Sequence, residues 1–235
     1  MTTRALVLVH DPAKERRDRV PGALTPALAT RGIGHDVASL VDGHEPEPDL
    51  AVYDLVVVLG SQESAYDRGV PWLARELAFV TSAVERGLPI LGICFGGQLL
   101  ARSLNGTVTR AARPELGFTT VESDDPDLVP RGPWMQFHAD SFTPPPVATE
   151  IARNAVGSQA FVAGKVLGVQ FHPEITLDGF DSWTERWAAS GESPGHGEAG
   201  LDIDALRREV ADNERHSVRG CDRLIGTFCA RYLGG

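Results

Sequence analysis

The amino-acid sequence predicts an α/β fold: an open, mostly parallel sheet with helices on both faces and a small antiparallel extension. Three observations lead there. Through residues 5–104, short runs that are apolar at every position alternate with stretches of helical periodicity, the pattern of strands buried on both faces between crossover helices. From residue 107 to 172 the helical period gives way to strand-and-turn patterns. Beyond Glu174 helical periodicity returns.

Residues 5–9 (ALVLV) are a short β-branched run and read as a buried strand. Residues 21–31 read as a helix closed by Gly32, and 35–40 as a second strand. Residues 55–59 (LVVVL) are the next buried strand, ending at Gly60. Pro71 suits the first position of a helix; Leu73, Leu77, Val80 and Val84 follow at helical spacing up to Gly87. Residues 90–93 (ILGI) form another strand, and 95–104 a helix that stops at Asn105 and Gly106.

In the middle of the chain, residues 107–110, 118–122, 135–138, 159–162 and 166–171 read as strands of an antiparallel extension that returns to the main sheet. Residues 144–146 (PPP) make a stiff loop. Residues 178–189 and 204–232 carry helical patterns. Between them, residues 190–200 (SGESPGHGEAG) are rich in Gly, Ser and Glu and are expected to form a mobile surface loop. No internal repeat is found. The expectation is one domain over residues 1–235, with 201–235 as its C-terminal helical part.

The formal net charge of -10 argues against non-specific nucleic-acid binding, which needs clustered Lys and Arg. Three cysteines, an odd number without a CxxC pair, argue against a disulfide framework or a zinc ribbon. The N-terminus lacks the apolar core and cleavage site of a signal peptide. No apolar run reaches the roughly 18 residues of a membrane span. A cytoplasmic protein without membrane association is expected.

Most of the chemical information lies in residues 91–98, Leu-Gly-Ile-Cys-Phe-Gly-Gly-Gln. An apolar strand ends at Cys94 and a helix begins at once, with Gly92 and Gly96 bracketing the cysteine. This is the layout of a nucleophile elbow with Cys in place of Ser. A thiol at a helix N-terminus faces unsatisfied N–H groups and the positive end of the helix dipole, which favour the reactive thiolate. The N–H of Phe95, next in sequence, is a candidate oxyanion donor. A lone cysteine at a strand end is ordinarily a packing residue; here the glycine bracket and the strand-to-helix switch outweigh that reading. Cys221 and Cys229, eight apart on one helical face, are read as core residues.

A cysteine nucleophile needs a base, usually His, and often a third group to orient it. Of seven histidines, His172 lies in Gln170-Phe171-His172-Pro173-Glu174, where an apolar strand is stopped by Pro173. A histidine there sits on the sheet edge where parallel folds place ligands, although from the residues alone a surface histidine in a turn is the more ordinary reading. Glu174 is placed to accept a hydrogen bond from the imidazole. The His-x-Glu spacing does not match a metal motif, and neither metal nor cofactor is expected. His138 and Asp140 form a second polar cluster, read from the residues alone as a turn closed by the Asp side chain.

The segments GICFGGQLLA (92–101) and QFHPE (170–174), in this order, resemble the class I, or triad, glutamine amidotransferases, in particular free-standing proteins similar to the amidotransferase domain of GMP synthase. The resemblance runs from about Ala5 to Glu174 and implies the flavodoxin-like fold of that family. It further implies that Cys94 attacks the side-chain amide of glutamine, that His172 moves the protons and that Glu174 orients His172. It implies an oxyanion hole formed by the N–H of Phe95 with an N–H around Gly60 and Ser61. Gln98 matches a position that contacts glutamine. His138, Asp140 and Ser141 match a segment that helps hold the substrate's amino and carboxylate groups. The loop after the third strand departs from the family: it reads Gly60-Ser61-Gln62-Glu63, where Gly-Gly-Pro is usual. That departure keeps a γ-glutamyl conjugate open as the substrate.

No P-loop is present, and the stretch after Glu174 reads as helices that finish the fold. Two readings stay in view: a glutaminase that releases glutamate and passes ammonia to an acceptor on a separate synthetase subunit, and a stand-alone hydrolase of γ-glutamyl amides or peptides using the same triad. A non-catalytic scaffold on this fold is disfavoured by the intact Cys, His and Glu.

Overall fold

The computed structural model describes residues 3–41, 49–191 and 201–233. The chain runs β1 (Arg4–Leu8), α1 (Lys14–Arg17), α2 (Leu24–Ala29), β2 (Gly34–Ala38), a 3-10 turn (Leu50–Val52), β3 (Leu55–Val58), α3 (Leu73–Glu85), β4 (Ile90–Ile93) and α4 (Phe95–Ser103). It continues through β5 (Thr107–Thr119), β6 (Glu122–Ser123), β7 (Trp134–Thr143), β8 (Thr149–Arg153), β9 (Ser158–Ala163), β10 (Val166–Val169), α5 (Leu177–Ser190) and α6 (Ile203–Tyr232). The main sheet has the order β2-β1-β3-β4-β10-β9-β8-β6. Its first five strands are parallel, and β9, β8 and β6 are added antiparallel. Strands β5 and β7 make a separate antiparallel ribbon.

The unbroken apolar strands follow from burial on both faces. Ala5, Val7, Leu55, Val57, Leu91 and Ile93 point into one core, where Leu24 and Leu28 of α2 and Leu224, Ile225 and Phe228 of α6 cover them. Leu6, Leu8, Val56, Val58 and Ile90 point into the other, beneath Leu73 and Val80 of α3 and Leu99 and Leu100 of α4. Side chains alternate along a strand, so a strand between two helical layers is apolar at odd and even positions alike. A smaller cluster, centred on Met135, Phe180, Trp187 and Val210, joins β7 to α5 and α6. Cys221 is buried in the α6 core and Cys229 lies at its rim, consistent with their reading as packing residues.

The expected α/β class is the class observed, and several elements differ in extent. The predicted strands 107–110 and 118–122 are largely one long strand, β5, irregular between Arg110 and Glu115; its pairing with β7 shifts register there, which hides the alternation. Strand β8 has no counterpart among the expectations. The polar cluster of His138 and Asp140 is not a turn: both lie inside β7, where ladder pairing with Glu115 and Arg110 determines their backbone. Strand β10 ends at Val169, and His172 is held beyond it by a single bridge to Met135. In the expected loop over 190–200, Ser190 and Gly191 close α5, and 192–200 lie outside the described residues.

The turn between β4 and α4 requires glycine on steric grounds. A Cβ at Gly96 would stand 2.0 Å from the Val58 carbonyl oxygen, a backbone atom that cannot move aside. Gly96→Ala is therefore expected to cost more than about 2 kcal/mol in urea unfolding, whereas Gly34→Ala, with nothing within 4 Å of the new methyl, stays within about 0.5 kcal/mol of the parent or gains slightly.

Candidate active site

Three loops leave the carboxyl edge of neighbouring parallel strands and meet. Gly60 follows β3, Cys94 follows β4, and residues 170–174 follow β10. The register Ile93↔Val169 places Cys94 beside Gln170, and the Cys94 N–H donates to the Val169 carbonyl at 2.9 Å. Cys94 has φ 53° and ψ -110°, outside the regions that non-glycine residues favour. Strain of this kind costs about 1–3 kcal/mol and persists where surrounding structure holds it. It turns the chain from strand into helix within one residue and leaves the sulfur at the first turn of α4, among donors that have no partner inside the helix.

His172 Nδ1 lies 2.7 Å from Glu174 Oε1, and both side chains are buried. Burial opposes a charged imidazole. The Glu174 carboxylate and the Cys94 sulfur beside it outweigh that penalty and hold the His172 pKa up to about 10. Glu174 Oε2 is buried with no hydrogen-bond partner among the described residues, so the carboxylate is committed to the imidazole. Trp183 of α5 packs edge-on against the ring at 4.8 Å. Thr176 caps α5 directly after this segment by accepting from the Gly179 N–H, and the Glu174 carbonyl accepts from the Ala23 N–H. The His172 N–H donates to the Met135 carbonyl at 2.8 Å, so the 172–176 stretch is anchored at both ends.

Gly60 stands against this pair. A Cβ there would come within 2.9 Å of His172 Cε1 and 3.8 Å of Cys94 Cβ, so only glycine lets the loop approach so closely. Ser61 donates to Glu63, and Arg186 of α5 reaches Glu63 at 3.4 Å. Phe95 supplies the first N–H of α4, and its ring is buried.

The remaining candidates connect to the cysteine through Gln170. Gln170 Nε2 is 3.8 Å from Cys94 Sγ, and the Gln98 amide donates to the Asp140 carbonyl at 3.2 Å and to Gln170 Oε1 at 3.4 Å. The Asp140 carboxylate accepts from Ser64 and Tyr66, tying β7 to the loop after β3. His138 lies 2.9 Å from the Asp140 carbonyl and 3.2 Å from Glu115. Burial works against the Glu115 charge, but His138, Asn154 and Gln159 together keep its pKa below the usual carboxylate value. Ser141 is half-buried on β7 opposite Thr109. Cys94, His172, Glu174, Gly60, Ser61 and Phe95 thus meet at one place. Gln98, His138 and Asp140 adjoin it as a buried polar layer.

Sequence reasoning passed over His10 and Glu76, which lie under the Gly60 loop. The available signal was the position of His10, directly after a buried parallel strand at the ligand-binding edge. Among the described residues no group of three His, Cys, Asp or Glu side chains is arranged to hold a metal ion, and no helix is long and apolar enough to cross a membrane.

A family model described as glutamine amidotransferase class-I matches residues 23–185. A subunit of the glutamine-hydrolyzing GMP synthase of Saccharolobus solfataricus is 31% identical over 152 residues, covering 61% of this chain and 78% of that subunit. The glutamine-hydrolyzing GMP synthase of Thermus thermophilus is 43% identical over 130 residues, 51% of this chain but only 24% of that longer protein. The crystal structure of a glutamine amidotransferase from Thermotoga maritima superposes with a TM-score of 0.83 at 26% identity, covering 97% of this chain and 98% of that one. The crystal structure of a glutamine amido transferase from Methylobacillus flagellatus has the same fold, with a TM-score of 0.80 at 21% identity over 98% of this chain and 95% of that one.

The His172 environment predicts a pH dependence. The folded imidazole titrates near 10 against 6.5 for an unperturbed one. Its stabilisation of the fold is therefore complete below the unfolded value and is lost as pH rises through the window from 6.5 to about 10. Urea midpoints measured across that window are expected to fall in the parent and to fall distinctly less in Glu174→Gln, which lacks the charge that raises the pKa.

Proposed function

We propose that this chain, which belongs to the class I glutamine amidotransferase family, cleaves the side-chain amide of glutamine through a thioester on Cys94 and releases ammonia for an acceptor carried by a separate protein. The observation that carries the reading is the meeting of a thiol at a strained strand-to-helix junction with an imidazole whose far nitrogen is 2.7 Å from a buried carboxylate.

In the first step the Cys94 thiolate attacks the amide carbon, and the carbonyl oxygen takes up the negative charge. The N–H of Phe95 and an N–H of the Gly60–Ser61 loop stabilise that oxyanion. The raised pKa of His172 means that it holds a proton when the thiolate forms. It gives this proton to the departing nitrogen, which leaves as ammonia when the carbon–nitrogen bond breaks. His172, now neutral, takes a proton from water. The resulting hydroxide attacks the thioester, and collapse frees glutamate and the thiolate. Glu174 keeps the imidazole oriented and stabilises its cationic form.

A separate acceptor protein is the reading that likeness to the Saccharolobus solfataricus protein supports, since that protein is named as one subunit of a synthase and 78% of it is covered, against 24% of the longer synthase from Thermus thermophilus. A second reading, a stand-alone hydrolase of γ-glutamyl amides or peptides, is favoured by the loop after β3. Ser61-Gln62-Glu63 there presents polar side chains, and Glu63 is tied to Ser61 and Arg186.

Cys94→Ala is expected to lose at least about 10³-fold in turnover, because the covalent step disappears; retention of most glutaminase activity excludes the mechanism. An electrophilic glutamine analogue should attach once, at Cys94, and peptide mapping that finds it on Cys221 or Cys229 contradicts the assignment. Glutamate and ammonia release measured with glutamine and a panel of γ-glutamyl compounds separates the two readings. Slow glutamine turnover that rises with a synthetase partner supports the amidotransferase, and rapid cleavage of a conjugate by the chain alone supports the hydrolase.

A further inference from the structure

His10 follows β1 at the same carboxyl edge and is 1% exposed. Its Nδ1 lies 2.8 Å from the Gly60 carbonyl oxygen, and its Nε2 lies 2.9 Å from Oε1 of Glu76, itself 1% exposed on α3. The Gly60 carbonyl can only accept, so Nδ1 carries a proton and donates to it, and Glu76 at Nε2 favours the charged ring. Burial opposes that charge, and Glu76 and the Gly60 carbonyl together raise the His10 pKa above its ordinary value. Trp72 stacks on the ring at 5.0 Å and Phe95 meets it edge-on at 4.8 Å. Arg186 of α5 donates to the His10 carbonyl.

Packing alone does not explain this arrangement. A buried ion pair is often no more stable than apolar side chains of similar volume, and the core around it is built of aliphatic and aromatic side chains. What the pair supplies, and an apolar pair does not, is an N–H fixed on one carbonyl. That carbonyl belongs to Gly60, whose Cα stands against His172 and Cys94. A glycine peptide without a clamp is free to rotate, and no proline stiffens residues 60–66. In a trans peptide the C=O and the following N–H point in opposite directions. Holding the Gly60 carbonyl toward His10 therefore directs the Ser61 N–H away from it.

We propose that His10, held by Glu76, is a positioning group for the reaction: it clamps the Gly60 carbonyl so that the Gly60–Ser61 peptide keeps its N–H turned toward the oxyanion formed at Cys94. The inference rests on Cys94 being the nucleophile and deepens that reading. His10 touches neither substrate nor sulfur in this scheme; it acts through one peptide plane. The pair thus matters for the charge that develops in the transition state, and little for binding glutamine or forming the thiolate.

The test uses Glu76→Gln, Glu76→Leu and His10→Phe in the full chain. It reads kcat and KM for glutamine, the rate at which iodoacetamide alkylates Cys94, and thermal melting. Alkylation is a displacement at carbon that forms no oxyanion, so it reports the thiolate alone. Glu76→Leu and His10→Phe are expected to lower kcat about 10²-fold, the scale of losing one oxyanion donor, with KM and alkylation rate close to the parent. Glu76→Gln retains a weaker, uncharged clamp and should lower kcat by about 3–10-fold, since a charge-assisted bond is roughly twice as strong as a neutral one. If the two apolar variants fail to fold, the Gln variant decides alone: parent-like kcat overturns the proposal. Alkylation that falls in step with turnover, or a loss confined to KM, also overturns it. Failure of the nucleophile reading looks different, because iodoacetamide would then leave turnover of the parent intact.

Discussion

Strand β10 lies against β4 in parallel register, and the Cys94 N–H closes onto the Val169 carbonyl just past the last paired residues. Every distance at the proposed centre depends on that pairing. It joins two segments separated by the whole antiparallel extension and puts their carboxyl ends side by side. Parallel neighbours need a crossover between them; here the crossover contains the β5–β7 ribbon and the antiparallel strands β6, β8 and β9. The extension is therefore part of what holds the site together. Met135 on β7 bridges directly to His172, and Asp140 on the same strand ties down the loop that carries Ser64 and Tyr66.

The edge assembled in this way is dense in buried ionisable groups. His10, His138 and His172 are each nearly inaccessible, and each faces a carboxylate: Glu76, Glu115 and Glu174. Burying charge is costly unless it is paired and hydrogen-bonded, and the pairs offset that cost where they stand. Glu174 and the sulfur act on His172 from two directions, and against the cost of burial they raise its pKa to about 10. The amino end of α4 adds positive potential to the same spot without introducing a side chain. A low-dielectric edge of this kind strengthens each of these interactions relative to water.

Much of this is legible in the chain itself. The apolar runs at 5–9, 55–59 and 90–93 are strands because they are buried on both faces, and a run without alternation says so directly. The glycine bracket around Cys94 is legible because each glycine reports a close backbone approach that a Cβ would prevent. The antiparallel region is harder. Strand β5 changes register between Arg110 and Glu115, and strands with one wet face carry a weaker signal than the fully buried ones. His138 and Asp140 resemble a turn because their residue types favour turns, but ladder pairing with β5 overrides that local preference.

The sequence by itself determined the class of fold and the strand-to-helix turn at Cys94, because each depends on local pattern, periodicity and glycine spacing; His172 and Glu174 stood out only through the resemblance of QFHPE to a known family. Only the tertiary structure decided which groups surround them. That His10 reaches the Gly60 carbonyl, that Glu76 lies behind it, and that Gln98 turns to Asp140 and Gln170 are consequences of strand order and helix packing. Contacts between residues far apart in the chain are set by how the sheet assembles, and no short window of sequence records that.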